Sequence, residues 1–400
     1  PYYAPYDEDG FLVGPGSPMY AAFPNFNPVA QALLPRFDVL SVKLLGGISG
    51  SYKVTQNLVL KAQASLDYNN IVEDNYESSQ TAIGGFLNSV GGQGYGVYTA
   101  SIITNVNSFV TLAYSKTLNT DHTFNSLLGT EINQRFINAG SVTGRLFPSD
   151  DFTYIQSAGV VDNGTSIKEP PSGLVSFFGD VKYDYKDRIL ASVSLRTDGS
   201  SRFGPNYRFG FFPAASVGWR ISQENFFKVS LISDLKIRAS YGKTGNERIG
   251  DFLFLAQWQS TSYNGSAGVR PSNVDNPNIR WEETSEFNTG FDLALWNGRI
   301  QTSVDVYYNK STDLLLFRPY PTTTGFAGIT DNVGDMENKG IELALNTINI
   351  DKSIKWSTSI NLSVNKNKVL FLPDSVPIFR GYTAEGIDRT NIVKEGEPLG

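Results

Sequence analysis

Three neighbouring carboxylates, Glu282, Glu283 and Glu286, are the residues whose type and spacing come nearest to a catalytic set. Two carboxyls flanking a glycosidic bond can hydrolyse it, one as acid and the other as base or nucleophile. They fall where a long polar segment, 244–283, passes into an alternating one, so a solvated or channel-lining role is expected instead. The single histidine, His122, lies between Asp121 and Thr123 at a short turn, and the chain has no cysteine. Nucleophilic chemistry with a His base, or a His/Cys metal site, lacks its other members, and a solvated turn position is expected. Asp7-Glu8-Asp9-Gly10 carries only part of a calcium loop's ligand spacing, and Gly91-Gly92-Gln93-Gly94-Tyr95-Gly96 lacks the Lys-Ser/Thr of a phosphate loop. No catalytic residue, metal ligand or cofactor is assigned.

A different chemistry is offered by Trp258, Tyr263 and Trp281 in the 244–283 segment and by Tyr95 and Tyr98 near the end of another long segment. Aromatic faces stack on sugar rings and peptide side chains, and long loops at the mouth of a scaffold are where a ligand arrives. These five are the substrate-binding candidates. Packing of the loop on itself, or against a partner protein, is the competing role.

The elements that would position them show a rhythm. Alternating segments are joined in pairs by short links, such as Lys186-Asp187-Arg188 and Trp296-Asn297-Gly298-Arg299. Between pairs lie long Gly/Ser/Asn-rich stretches, at about 69–101, 138–172, 244–283 and 313–336. In one segment Val181, Tyr183 and Tyr185 oppose Asp180, Lys182 and Asp184. In another, Leu235, Ile237, Ala239 and Tyr241 oppose Lys236, Arg238 and Ser240. Period-two patterning of this length is strand. Twelve strands are expected, at roughly 38–52, 57–68, 102–116, 122–137, 173–185, 189–198, 208–221, 234–243, 284–296, 299–312, 337–348 and 354–366.

Tight turns at one end and long loops at the other are the pattern of an all-β, antiparallel transmembrane barrel. A soluble β-sandwich also alternates. Against it stand several strands of 13–16 residues, loop lengths segregated by side, and aromatics gathered at the short-turn ends: Tyr52, Tyr114, Phe124, Tyr183, Tyr185, Trp219, Trp296 and Trp356. Hydrophobic content of 40% excludes a bundle of membrane helices but suits strands that are half polar. The net charge of −6 argues against nucleic acid as the partner.

Four stretches carry a family resemblance: DRILASVSLRTDGSSRFGPNYRFGFFPAASVGWRIS at 187–222, ISDLKIRASYGKTGN at 232–246, NPNIRWEETSEFNTGFDLAL at 276–295 and DNVGDMENKGIELAL at 331–345. In content and order they closely resemble the outer-membrane β-barrel of SusC/RagA-type TonB-dependent transporters, the nutrient importers typical of Bacteroidetes. The resemblance implies a 22-stranded barrel around an N-terminal plug, with a TonB box that TonB pulls. It also implies a SusD-like surface lipoprotein as lid, outer-membrane lipid as surroundings, and glycan or peptide oligomers as cargo. It implies no chemistry on the substrate, and so no enzyme.

The sequence departs from that pattern by omission: no plug, TonB box or signal peptide is evident, and about ten strands are wanting. A piece of a longer protein is therefore expected, with 1–37 as an outer loop leading into the barrel, 38–366 as barrel strands with long extracellular loops, and 367–400 as an outer loop. Other readings are a siderophore or vitamin importer of the same barrel type, and a surface β-protein that binds glycans or adheres without transporting. A β-rich hydrolase using Glu282 or Glu283 is a third.

Overall fold

The computed structural model describes residue 6 and residues 27–87, 93–263, 266–373, 378–380 and 391–399. The sequence Asp7-Glu8-Asp9-Gly10 and the glycines Gly91 and Gly92 lie outside these. One α-helix, α1 (Pro28–Leu33), opens the described chain; Asn27 caps it, its Oδ1 accepting from the backbone N–H of Val29 at 3.0 Å. The strands follow in order: β1 (Arg36–Thr55), β2 (Leu58–Glu77), β3 (Tyr95–Leu118), β4 (His122–Arg145), β5 (Val160–Lys168) and β6 (Ser172–Tyr185). Then come β7 (Ile189–Ser200), β8 (Phe209–Arg220), β9 (Ile232–Asn246), β10 (Gln257–Tyr263), β11 (Ser266–Asn273) and β12 (Glu282–Leu295). The last are β13 (Ile300–Thr312), β14 (Leu315–Pro319), β15 (Gly328–Asn332), β16 (Asp335–Asp351), β17 (Lys355–Phe371), β18 (Ile378–Arg380) and β19 (Asn391–Val393).

Twelve strands form one path, β1-β2-β3-β4-β6-β7-β8-β9-β12-β13-β16-β17, and β5 pairs with β4 as a thirteenth. Each of the twelve segments read from alternation is one strand of this path. Three hairpins, β10-β11, β14-β15 and β18-β19, stand apart as small sheets. No described helix is long and apolar enough to cross a membrane.

Several strands run further into the long-loop side than alternation indicated. β2 continues to Glu77, β3 begins at Tyr95 and β4 continues to Arg145. Both faces of a ladder in water can carry polar side chains, so the hydrophobic signal fades there while backbone pairing persists. Two of the short links turn on a pair of residues at positive φ: Asn119 and Thr120, then Lys186 and Asp187. The Arg188 N–H closes the second turn on the Tyr185 carbonyl at 2.9 Å. Such turns match the right-handed twist of the strands they join.

The chain divides into two compact units. The first comprises Pro1–Ile48, Ala64–Asn107 and Asn133–Pro171, and the second Ser49–Gln63, Ser108–Ile132 and Ser172–Gly400. In the first, Phe147 is buried edge-to-face on Tyr76, with ring centroids 5.0 Å apart. β5 folds back on β4, where the Arg145 guanidinium clasps Asp162.

In the second unit, β6 to β9, β12, β13, β16 and β17 pair antiparallel in long registers, with irregularities only near the strand ends, at Ala294/Leu295, Asp335/Met336 and Ile348/Ile350. One face is apolar: Val181, Val193, Ala215, Tyr241 and Phe287 lie side by side on five successive strands. Further along that face come Val306, Ile341 and Val364. The opposite face is polar, with Lys182, Ser192, Ser216, Ser240 and Asn288 in one transverse row. The buried core is small and lies at the long-loop end: Phe203, Phe212, Ile279 and Trp281, packed on Leu174, Ile249, Leu253, Phe254 and Leu315.

Candidate functional site: a polar wall and its rim

The second unit's polar face is a wall of small hydroxyl and amide side chains crossed by charge pairs. Ser192 and Ser216 share a hydrogen bond of 2.7 Å. Arg238 on β9 binds Asp305 on β13 through two contacts of 2.5 and 2.7 Å and lies 3.4 Å from Asp292 on β12. Arg196 on β7 holds Asp198 at 2.8 Å, donates to Ser176 Oγ at 2.8 Å and reaches Glu131 at 3.3 Å. Its guanidinium also lies over the Phe178 ring at 5.4 Å. A cavity of about 450 Å³ opens on this wall, lined by Lys182, Ser192, Ser216, Lys236, Arg238 and Asn288 among others. It offers hydrogen bonds and charge but no activated nucleophile. Among the described residues no group of three or more His, Cys, Asp or Glu side chains could hold a metal ion.

At the rim, polar side chains tie loop to strand. Arg202 joins Asp251 at 2.8 Å and Arg280 joins Asp313 at 2.6 Å. Asn332 donates to the carbonyls of Arg280 and Asp313 at 2.8 and 2.9 Å. The carboxylates Glu282 and Glu283 are taken up in the same way. Glu282 accepts from the Leu315 N–H at 3.1 Å, and Glu283 pairs with Lys243 at 2.6 Å. As neighbours on β12 they point to opposite faces of the sheet, so they cannot flank one glycosidic bond. His122 differs from its solvated expectation. Its Nδ1 lies 2.8 Å from Tyr183 Oη and its ring 4.9 Å from that of Tyr185, within a group of rings that also includes Phe124.

Of the five aromatic candidates, Trp258 and Tyr263 lie on the β10-β11 hairpin and are 64% and 87% exposed. Tyr98 is exposed on β3, and Tyr95, at the start of that strand, is half-buried. Trp281 must be corrected. It is 6% exposed, packed on Phe203 and Phe212, and its indole N–H donates to the Arg208 carbonyl at 3.0 Å. It builds the rim and is not presented to a ligand.

Alternation placed Arg196, Arg238 and Asp292 on the polar face, but their partners depend on strand register, which sequence does not give. In the first unit, Asp150 had no periodic signal at all. Its carboxylate accepts from Tyr76 Oη at 2.8 Å and from Ser78 Oγ, Ser79 N and Ser79 Oγ at 2.9 Å each. Burial works to raise this carboxyl, yet the bonds from Ser79, Tyr76 and Ser78 outweigh it and hold Asp150 below the usual carboxylate range. Burial, and then the bond to Asp150, push the Tyr76 phenol above its ordinary value.

Known proteins share this architecture. Residues 3–399 match the family described as TonB dependent receptor-like, beta-barrel. The chain is 36% identical over 397 residues to the TonB-dependent receptor P39 of Formosa agariphila, an alignment covering 96% of this chain and 36% of that protein. It is 40% identical over 211 residues to the TonB-dependent receptor SusC of Bacteroides thetaiotaomicron, covering 49% of this chain and 21% of that protein. The RagAB peptide transporter superposes over 99% of this chain and 44% of that chain, with a TM-score of 0.85 and 24% identity, a likeness of fold. The chain thus spans about a third of the length of P39. Its apolar face is the lipid-facing surface of an outer-membrane barrel and its polar face the lumenal wall. On the extent of the match and the agreement with SusC, the chain belongs to the TonB-dependent receptor β-barrel family, in its SusC/RagA type.

Proposed function

We propose that the protein containing this chain imports oligosaccharides or peptides across the outer membrane, driven by TonB and working with a SusD-like surface lipoprotein. The observation that carries this reading is the lumenal wall itself: Ser192, Ser216, Ser240 and Asn288 side by side on four strands, above and beside paired charges. An oligomer rich in hydroxyls or amides can exchange one hydrogen bond for the next along such a surface, with no strong site to trap it. The Arg238–Asp305 and Arg196–Asp198 pairs neutralise their own charge and leave the wall polar without making it an ion sink. Exposed rings at Trp258, Tyr263 and Tyr98 suit first contact by stacking; half-buried Tyr95 opens the same strand as Tyr98.

No residue here performs chemistry on the cargo. The wall binds weakly and repeatedly, the rim captures, and energy enters through TonB. The test is affinity capture of the full-length protein from detergent-solubilised outer membrane, with mass spectrometry of what accompanies it, followed by uptake of labelled oligosaccharide and peptide in cells with and without TonB. A stoichiometric SusD-like lipoprotein and TonB-dependent uptake of an oligomer support the reading. Recovery of the receptor alone, with uptake of a siderophore or vitamin instead, overturns it in favour of that importer class. Binding of glycans at the surface without any uptake overturns transport altogether.

A further inference from the structure

The lipid-facing surface of β13, β16 and β17 changes character abruptly toward its long-loop end. Val304, Leu343 and Leu362 lie side by side on the three strands, and Val306, Ile341 and Val364 form the next row. The row after that is Tyr308, Lys339 and Lys366, and the one beyond is Lys310, Glu337 and Lys368. All of these side chains share the lipid-facing side, because each lies an even number of residues from its apolar neighbour on the same strand. Four lysines therefore sit just past the edge of the apolar band, against two carboxylates on the same face. Glu337 is held by Lys339 at 3.4 Å and by the Tyr308 hydroxyl at 3.1 Å, and Asp335 lies 3.8 Å from Lys310. Among the described residues neither Lys366 nor Lys368 forms an ion pair, and both are exposed.

The height of the patch is set by the strand. Trp356, at the short-turn end of β17, belongs to the aromatic layer at one membrane interface. From Trp356 to Lys366 is about ten residues, which at ~3.3 Å per residue and a tilt of about 45° climbs roughly 23 Å, close to the height of a barrel's apolar band. Lys366, Lys339 and Lys368 thus stand in the headgroup layer on the side of the long loops, which is the cell exterior. Lysines there keep their stems on the apolar band and their ammonium groups in the polar layer.

We propose that Lys339, Lys366 and Lys368, with Lys310 beside them, form a docking surface for a phosphate-bearing lipid headgroup of the outer leaflet. Charge complementarity and continuity with the lipid-facing band identify the occupant. Acyl chains lie along Val306, Ile341, Val364 and Leu362, while the phosphate meets the ammonium groups of Lys366 and Lys368, neither of which is within ion-pair distance of a carboxylate among the described residues. The Tyr308 hydroxyl and Lys339 hold Glu337, which also lies opposite Lys368 in the ladder, so one carboxylate is shared among several ammonium groups. This inference rests on the outward face being in lipid and not on what the receptor imports.

The test uses the full-length receptor in detergent, titrated with lipid A and, separately, with phosphatidylcholine, and reads bound lipid by native mass spectrometry. The wild type is expected to retain lipid A in preference to phosphatidylcholine. Replacing Lys339→Gln, Lys366→Gln and Lys368→Gln together should weaken lipid A binding by about tenfold or more, whereas the Lys→Arg triple variant should bind as the wild type does. A control with the same kind of charge loss, Lys352→Gln with Lys355→Gln at the opposite end of the strands, should leave binding unchanged. Equal binding by the wild type and the triple Gln variant, or an equal loss in the control, overturns the proposal. Heat-modifiable gel migration verifies folding of each variant. Lys366→Gln alone, expected to weaken binding about threefold, serves if the triple variant does not fold.

Discussion

Arg238 on β9 grips Asp305 on β13 although a whole strand, β12, lies between them; the contact is 2.7 Å from Nη2 to Oδ2. The residue of β12 in the same transverse row is Gly290, paired with Arg238 on one side and Asp305 on the other. A Cβ at Gly290 would fall 3.0 Å from Asp305 Oδ1 and closer still to the Val304 carbonyl. The missing side chain is what lets the guanidinium cross. Three strands are thereby clamped on the lumenal side at one level, which keeps Arg238 from projecting into the passage.

Substituting Gly290→Val should therefore act like removal of the ion pair. Both partners are partly exposed, so the pair itself is worth only about 1 kcal/mol. The valine adds a steric cost that the backbone must absorb. In a double-mutant cycle on the full-length receptor, Arg238→Gln and Asp305→Asn should couple by about that amount in the wild-type background. With Gly290→Val present the coupling should vanish. Coupling that survives the valine would show that the arginine does not depend on the glycine's open space.

The rim aromatics should separate into two behaviours. Trp281→Ala removes the largest member of the cluster it forms with Phe203, Phe212 and Ile279, and one of the two donors to the Arg208 carbonyl, the Ser200 N–H remaining. A loss of about 3–5 kcal/mol from the rim is expected, seen as protease cleavage within 247–281 while the barrel strands stay intact. Trp258→Ala and Tyr263→Ala, on an exposed hairpin, should leave protease resistance unchanged and weaken capture of the proposed oligomer cargo. If Trp281→Ala resists protease like the wild type, the cluster does not organise the rim.

Periodicity made the barrel strands legible because lipid on one side and water on the other impose a strict period of two. Val181 against Lys182, or Ile237 against Arg238, leaves no ambiguity about which face is which. What periodicity could not give is which strand residue meets which. Asp305 as the partner of Arg238 follows from register and from a glycine on a third element. Nor could it tell an aromatic that builds a loop from one that the loop displays. Trp258 and Trp281 stand in the same polar segment, and only the ring cluster under the second distinguishes them. Asp150 was invisible for the same reason. Its four donors come from Tyr76, at the end of β2, and from Ser78 and Ser79 just beyond it, far back in the chain.

That carboxylate makes the first unit's loops sensitive to acid but not to mild changes in pH. A carboxyl held below its unfolded value stabilises the fold above that value and loses its contribution as pH falls through the folded value. With an unperturbed aspartate near 3.9, the contacts at Ser78 and Ser79 should be unaffected between about pH 5 and 8 and should loosen only below about pH 4. The Tyr76 phenol, held above its ordinary value, keeps its proton over the same range and loses its contribution only in strong alkali. Hydrogen exchange at the Ser79 amide, corrected for intrinsic rates, is the readout. Asp150→Asn should lift its protection at neutral pH, at a cost of about 1–3 kcal/mol. A titration of this amide centred near pH 6 would assign control of the loop to some other group.

The five tryptophans offer a direct test of how the chain sits in the membrane. Trp219, Trp296 and Trp356 lie at the short-turn ends of β8, β12 and β17, while Trp258 and Trp281 belong to the rim. Exposure alone does not separate them, since Trp356 is 58% exposed and Trp258 is 64% exposed. Their surroundings do. Trp219 packs near Phe226 and donates to Glu224 at 3.0 Å, a ring with one apolar and one hydrogen-bonding side, as an interfacial position requires. In single-tryptophan variants of the full-length receptor reconstituted into vesicles, lipids brominated near the headgroup should quench Trp219, Trp296 and Trp356 strongly. The same lipids should leave Trp258 and Trp281 bright, and a water-soluble quencher should reach Trp258 but not Trp281. Quenching of Trp258 by brominated lipid would place the rim hairpin in the bilayer and reverse the assignment of water and lipid along the strands.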